Sequence, residues 1–152
     1  MTRMKFERSL GYLVRYAHRA FVKALANKLV PFRISTSEWA VFRVLWAKEG
    51  YSQVELARRM RVEKASLTGV LNGMERHGFL VRKRDASDRR RVILTLTPHG
   101  RSLKRRVLLC AAAINRRATH GLSGTQVAQM RTLLSVLTEN LESEEARPRR
   151  CS

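Results

Sequence analysis

Apolar positions recur along this chain in blocks, and the spacing within each block predicts an element. Over residues 5–29, Leu10, Val14, Ala17, Phe21, Ala24 and Leu29 fall along one helical face, flanked by Leu13 and Leu25. Pro31 ends that amphipathic helix. Ser35-Thr-Ser-Glu38 has the form of a capping box, and the apolar run Trp39–Trp46 behind it predicts a second helix, stopped by Gly50. Ser52-Gln-Val-Glu55 is a second capping box, opening a short helix that runs to about Met60. A break at Arg61-Val62 leads to a fourth helix over 64–77, with Leu67, Val70, Leu71 and Met74 inward and Gly78 as its cap. Two short apolar or β-branched runs follow, Phe79-Leu-Val81 and Val92-Ile-Leu-Thr-Leu-Thr97, and predict a β-hairpin. Thr97-Pro98 is an N-cap followed by a first-turn proline, predicting a helix to about Thr119 that Gly121 breaks. Ser123-Gly-Thr-Gln126 caps a last helix, with Val127, Met130, Leu133, Leu134, Leu137 and Leu141 on one face.

This order predicts a mainly α fold with a small β-hairpin wing. Residues 35–97 form a compact winged helix-turn-helix. Residues 5–34 and 98–143 form a helical region contributed by both ends of the chain. Residues 144–152, which include Arg147-Pro-Arg-Arg-Cys-Ser152, lack periodicity and are expected to be a basic disordered tail. The flanking helices are apolar on more than one side, more than one winged helix can cover. An intramolecular bundle is one solution. Packing against a second copy of the chain is the favoured one, because two-fold proteins match symmetric DNA sites.

Charge narrows the class of partner. The 152 residues carry 31 Lys and Arg against 12 Asp and Glu, a formal net charge of +19. A polyanion is therefore expected, with double-stranded DNA ahead of an anionic membrane surface. Cys110 and Cys151 show no metal or disulfide spacing, the N-terminus has no signal-peptide core, and the longest apolar run, 107–114, is too short for a bilayer. A cytoplasmic protein without a membrane partner is expected. No metal site, cofactor or catalytic constellation is expected either: there are no paired catalytic carboxylates and no phosphate-cradling glycine loop, and the four histidines lack ligand spacing.

Within the helix-turn-helix, the second helix would lie in the major groove. It presents Lys64, Ala65, Ser66, Thr68, Gly69 and Asn72. Lys64 can reach a guanine edge or a phosphate, Ser66 and Thr68 can donate or accept, Asn72 suits adenine, and Ala65 can touch a thymine methyl. Gln53, at the start of the first helix, is placed to hold a phosphate. The hairpin tip, Arg82-Lys-Arg-Asp-Ala-Ser-Asp-Arg-Arg-Arg91, packs six basic and two acidic residues into ten. An arginine from such a tip can enter a narrow minor groove. Asp88 is expected to pair with a wing arginine and set its direction, while Arg82, Arg84, Arg89 and Arg91 are expected on the DNA backbone.

The stretch Ser52–Thr97 resembles the MarR family of bacterial transcriptional regulators. The matching pieces are Ser-Gln-Val-Glu-Leu-Ala at 52–57, Leu-Asn-Gly-Met-Glu-Arg-His-Gly at 71–78, Asp-Arg-Arg at 88–90, Leu-Thr at 96–97 and Pro-His-Gly at 98–100. The resemblance implies a homodimer with interlocked terminal helices that binds a pseudo-palindromic operator and represses transcription. It places Arg90 as the minor-groove arginine and Asp88 as its partner. Gly69 departs from the pattern, since many relatives carry a base-contacting arginine there.

The family likeness also implies an effector, a small aromatic acid or its coenzyme A thioester, that releases the protein from an aromatic-catabolic or efflux operon. Tyr12, Arg15, Tyr16 and Arg19 on the first helix and Trp39, Phe42 and Trp46 on the second suit such a ligand, arginine for the acid and rings for stacking. The opposing expectation is that the aromatics are core and the arginines exposed. His18 is expected to be a surface or core residue, not a pH switch. Cys110, among Leu108, Leu109 and Ala111, is expected to be buried, and oxidant sensing is disfavoured. The competing function is a ligand-independent or architectural DNA-binding protein.

Overall fold

The structure, a computed structural model, describes residues 9–145. It comprises two compact units, one extending through Ile114 and one beginning at Asn115. In the first unit, α1 spans Leu10–Leu29, α2 Thr36–Leu45, α3 Gln53–Met60 and α4 Lys64–Arg76. They are followed by β1 (Leu80–Arg84), β2 (Val92–Leu96), α5 (Pro98–Ser102) and α6, which spans Lys104–Ala118. The second unit contains α7, Gly124–Glu145.

Both predicted capping boxes form. The Glu38 N–H donates to Ser35 Oγ at 3.1 Å while Ser35 N–H donates to Glu38 Oε2 at 2.8 Å. Ser52 and Glu55 make the same reciprocal pair at 3.3 and 2.7 Å. Each box satisfies two helix-start donors that would otherwise lack partners. α4 ends as its sequence predicts: Gly78 takes φ +68°, and Phe79 N–H and Gly78 N–H reach back to the carbonyls of Met74 and Glu75.

The core of the first unit is aromatic at one side and aliphatic at the other. Phe42 stacks on Trp46 with ring centroids 4.6 Å apart and lies 5.3 Å from Phe79, while Trp39 meets Trp46 edge-on. Leu45, Leu56, Leu71, Met74, Leu80, Leu94, Leu96 and Val107 are fully buried around them. Burying side chains of this size stabilises the fold by about 1.5–3 kcal/mol each. β1 and β2 pair antiparallel with Leu80 opposite Leu96, Arg82 opposite Leu94 and Arg84 opposite Val92. Gly50 and Tyr51 add a third edge: Gly50 N–H donates to Leu94 O and Leu94 N–H to Tyr51 O.

The helix expected from Pro98 to about Thr119 is broken at Leu103. Just before that joint, Trp46 Nε1 donates to Gly100 O at 3.0 Å. In an unbroken helix that carbonyl accepts the Lys104 N–H four residues on. Gly100 also lies flat on β1's approach, where a Cβ would sit 2.2 Å from Phe79 O. Leu103 turns into the core at the joint.

Outside that core, much of the predicted apolar pattern is uncovered. Of α1 only Leu29 is buried, and Leu10, Leu13, Val14 and Phe21 are exposed. On α7, Met130, Leu133, Leu134 and Leu141 are exposed, while Val127 and Leu137 are half-buried. α7 continues to Glu145, past the expected tail boundary at 144. Residues 5–8 of the expected first helix, and residues 146–152 of the tail with Cys151, lie outside the described residues. Cys110 is half-buried rather than fully buried. No described helix is long and apolar enough to cross a membrane. Among the described residues, no three His, Cys, Asp or Glu side chains gather as a metal site would need.

Candidate nucleic-acid interface

α4 is pinned from beneath by Leu67, Leu71 and Met74, which leaves its opposite face to solvent. Lys64, Ala65, Ser66, Thr68, Gly69 and Asn72 are all exposed there, and no side chain caps the first turn, whose N-cap is Glu63. Gly69 has open space on that face: a Cβ there would meet nothing within 4 Å. The turn from α3 passes through Arg61 in a left-handed conformation, φ +56°. Gln53 is held within the protein. Its amide donates to Thr68 Oγ1 at 2.7 Å and to Lys64 O at 3.3 Å, locking α3 to the start of α4. Thr68 Oγ1 in turn donates to Lys64 O. These two side chains therefore fix the angle between the helices.

The hairpin tip is built from two consecutive aspartate turns. Asp85 Oδ1 accepts Ser87 N–H at 3.0 Å, and Asp88 Oδ1 accepts Arg90 N–H at 3.0 Å. Backbone bonds from Asp85 N–H to Arg91 O and from Arg91 N–H to Asp88 O close the loop. Aspartate suits such turns because its short carboxylate reaches the amide two residues on. Asp88 thus orients Arg90 through the backbone amide. Among the described residues the expected ion pair between Asp88 and a wing guanidinium is not formed, and Asp88 Oδ1 accepts the Arg90 amide instead.

The wing cations divide into held and unheld. Arg82 shares the inward face of β1 with Leu80, and its guanidinium contacts Glu75 and donates to Asn72 Oδ1 at 3.2 Å, both on α4. Arg84 donates to the Arg89 carbonyl at 2.8 Å and spans the tip. Arg91 donates to Asp85 Oδ2 at 2.9 Å and to Gly50 O at 3.2 Å, and contacts Glu55 on α3. By contrast, the Arg89 and Arg90 side chains are exposed and make no hydrogen bond or ion pair among the described residues. Arg82, Arg84 and Arg91 were expected on the DNA backbone. Internal acceptors hold all three, because the strands bring the guanidiniums beside Glu75, Glu55, Asp85 and two free carbonyls.

Electrostatics match this division. The Ser52 N–H, with the Arg91 guanidinium second, holds the Glu55 carboxyl down at about 2 against opposition from burial. Ser87's backbone and hydroxyl donors, then Arg91, hold Asp85 below the usual carboxylate range. Glu55 and Asp85 in return raise Arg91. At the other end of β2, partial burial alone would raise Glu49. Two 2.8 Å hydrogen bonds from Arg101 and one from Leu96 N–H outweigh it and lower that carboxyl.

Three of the seven residues expected around an effector are core. Phe42 is fully buried, and Trp39 and Trp46 are each 8% exposed. Their rings pack on each other and on Phe79. Arg15, Tyr16 and Arg19 are exposed on α1, where Tyr12 stacks on Tyr16 at 4.3 Å and the Arg19 guanidinium lies 6.0 Å from the Tyr16 ring centroid.

Several residues escaped sequence reasoning. Glu75, Asp85 and Glu49 carried no local pattern that marks an ion-pair partner. Glu38 is buried and accepts from both Ser35 and, at 2.9 Å, His77 Nδ1 when that nitrogen carries the proton, joining α2 to the end of α4. Glu55 was visible only as a cap. Its capping role leaves enough of the carboxylate exposed to hold Arg91 as well.

The MarR family profile matches residues 34–92. The HTH-type transcriptional regulator TtmR of Methylorubrum extorquens (strain PA1) is 30% identical over 138 residues, 91% of this chain and 68% of that protein. The organic hydroperoxide resistance transcriptional regulator of Bacillus subtilis (strain 168) is 26% identical over 141 residues, 93% of this chain and 95% of its own length. Among solved structures, CouR from Rhodococcus jostii RHA1 bound to p-coumaroyl-CoA superposes with a TM-score of 0.76 at 28% identity, covering 86% of this chain and 92% of CouR. CouR bound to a 23-mer DNA duplex superposes at 0.80 with 25% identity, covering 88% and 95%.

Proposed function

Because this chain belongs to the MarR family of transcriptional regulators, which are not enzymes, we propose that it is a cytoplasmic homodimeric repressor that reads a pseudo-palindromic operator. α4 enters the major groove through Lys64, Ala65, Ser66 and Asn72, with Thr68 and Gln53 setting its pose. Arg90 enters the adjacent minor groove, and Arg89 contacts the backbone. One observation carries this reading. The exposed α4 face is accompanied by a hydrogen-bonded tip on which Arg89 and Arg90 are the arginines without a side-chain partner among the described residues. A second copy of the chain is the natural cover for the exposed apolar positions of α1 and α7, and residues 5–34 and 98–143 are the dimerisation region in this proposal.

Control by an aromatic acid or its coenzyme A thioester is the finer part of the proposal. CouR supports it, as a structural relative with p-coumaroyl-CoA bound. So does the arginine and tyrosine cluster of Tyr12, Arg15, Tyr16 and Arg19 on α1. The core positions of Trp39, Phe42 and Trp46 favour a second reading, a regulator that answers to no aromatic ligand. A mobility-shift assay on the DNA upstream of the protein's own gene, repeated with aromatic acids and their thioesters, separates the two. Release by one compound supports effector control, and an unchanged shift across the panel removes it.

A further inference from the structure

We propose that Arg91, although it lies in the arginine run of the wing, touches no DNA and instead is the positioning residue that fixes the wing's angle against the helix-turn-helix. This rests on the operator-binding reading above. The guanidinium joins three pieces of chain at once. It donates to Asp85 Oδ2 inside the wing at 2.9 Å, to the Glu55 carboxylate on α3, and to the Gly50 carbonyl in the loop before α3 at 3.2 Å. Its five donors in a planar fork make that geometry possible, and a lysine ammonium cannot reproduce it. Each anchor is itself fixed. Glu55 is bound to Ser52 N–H as the cap of α3, Asp85 is bound by Ser87, and Gly50 is hydrogen-bonded to Leu94 of β2. The strut therefore ties the wing's base to the element that Gln53 locks onto α4. Arg90 precedes it directly within the turn that Asp88 and Arg91 close, so the orientation of the reading arginine is set relative to the reading helix.

The consequence is a split between charge and geometry. An arginine that contacts phosphate acts mainly through its charge: its lysine replacement binds nearly as well, and its neutral replacement lowers the salt slope by about 0.9. A strut acts through its fork. Operator titrations of R91K, R91Q, E55Q and the R91Q/E55Q pair across a salt series separate the cases. E55Q keeps a side-chain oxygen for the Ser52 N–H and removes only the charge facing Arg91.

Arg91 as a strut predicts that R91K and E55Q each weaken operator binding about tenfold. It also predicts that the pair is no worse than the single variants and that the salt slope stays at the parent value. R91K binding like the parent, or E55Q binding more tightly because a freed arginine reaches phosphate, would overturn it. Hydrogen exchange of the DNA-free protein tests the strut independently of any operator. Peptides covering 80–96 exchange faster in R91K and E55Q if the strut holds the wing, and unchanged protection overturns the assignment even for a protein that binds no duplex.

Discussion

Arg90 and Gly100 show how much a single position can carry in opposite ways. Arg90 is exposed, its guanidinium engages nothing among the described residues, and its backbone amide is held by Asp88. Arg90→Ala is therefore expected to leave folding untouched and to weaken operator binding by about 1–3 kcal/mol, measured by anisotropy titration alongside circular dichroism. Gly100 is the reverse. A methyl group there would lie 2.2 Å from the Phe79 carbonyl, so Gly100→Ala forces the β1 approach and α5 apart. Thermal unfolding should show a loss of about 1–3 kcal/mol. At this scale the sequence was legible only in part. The six basic residues of the wing look alike in one dimension, and what separates Arg89 and Arg90 from Arg82 and Arg91 is the distance to Glu75, Glu55 and Asp85 after folding.

Among elements, those defined by local chemistry were the readable ones. α2 and α3 begin where their capping boxes place them and α4 ends at the Gly78 turn, because those signals act over three or four residues. The break at Leu103 was not readable, since Trp46 and Phe79, which meet Gly100 just before it, are distant in sequence. The ties between elements have a pH signature. Glu55 falls from an ordinary 4.5 to about 2 in the folded protein, and Glu49 and Asp85 are also lowered. Carboxylates lowered on folding add stability above their unfolded pKa and lose it as pH falls through the folded value. Melting temperatures should therefore show no contribution from these groups to any change between pH 8 and about 6. Below about pH 5 the contribution should fade toward pH 2, and Glu55→Gln should flatten that acid limb. An acid limb identical in Glu55→Gln and parent would show that the Glu55 tie contributes nothing to folding.

For the whole molecule, the exposed apolar positions of α1 and α7 are the part that a single chain does not explain. Their periodicity was plain in the sequence, and their cover is a second copy in the proposed dimer. Sedimentation equilibrium should return twice the 17.5 kDa chain mass. Removing residues 115–152 should yield a monomer with weaker operator binding, because each half-site then binds alone. A full-length monomer would contradict the dimer. The central claim is selective DNA reading, and a basic chain of net charge +19 will bind any duplex to some degree. The deciding measurement is the ratio of two dissociation constants at physiological salt, for a duplex from the protein's own upstream region and for a scrambled duplex of equal length and composition. A preference of about 1,000-fold or more is the predicted result. Equal affinity for the two duplexes would contradict it and leave a charged protein that coats DNA without reading it.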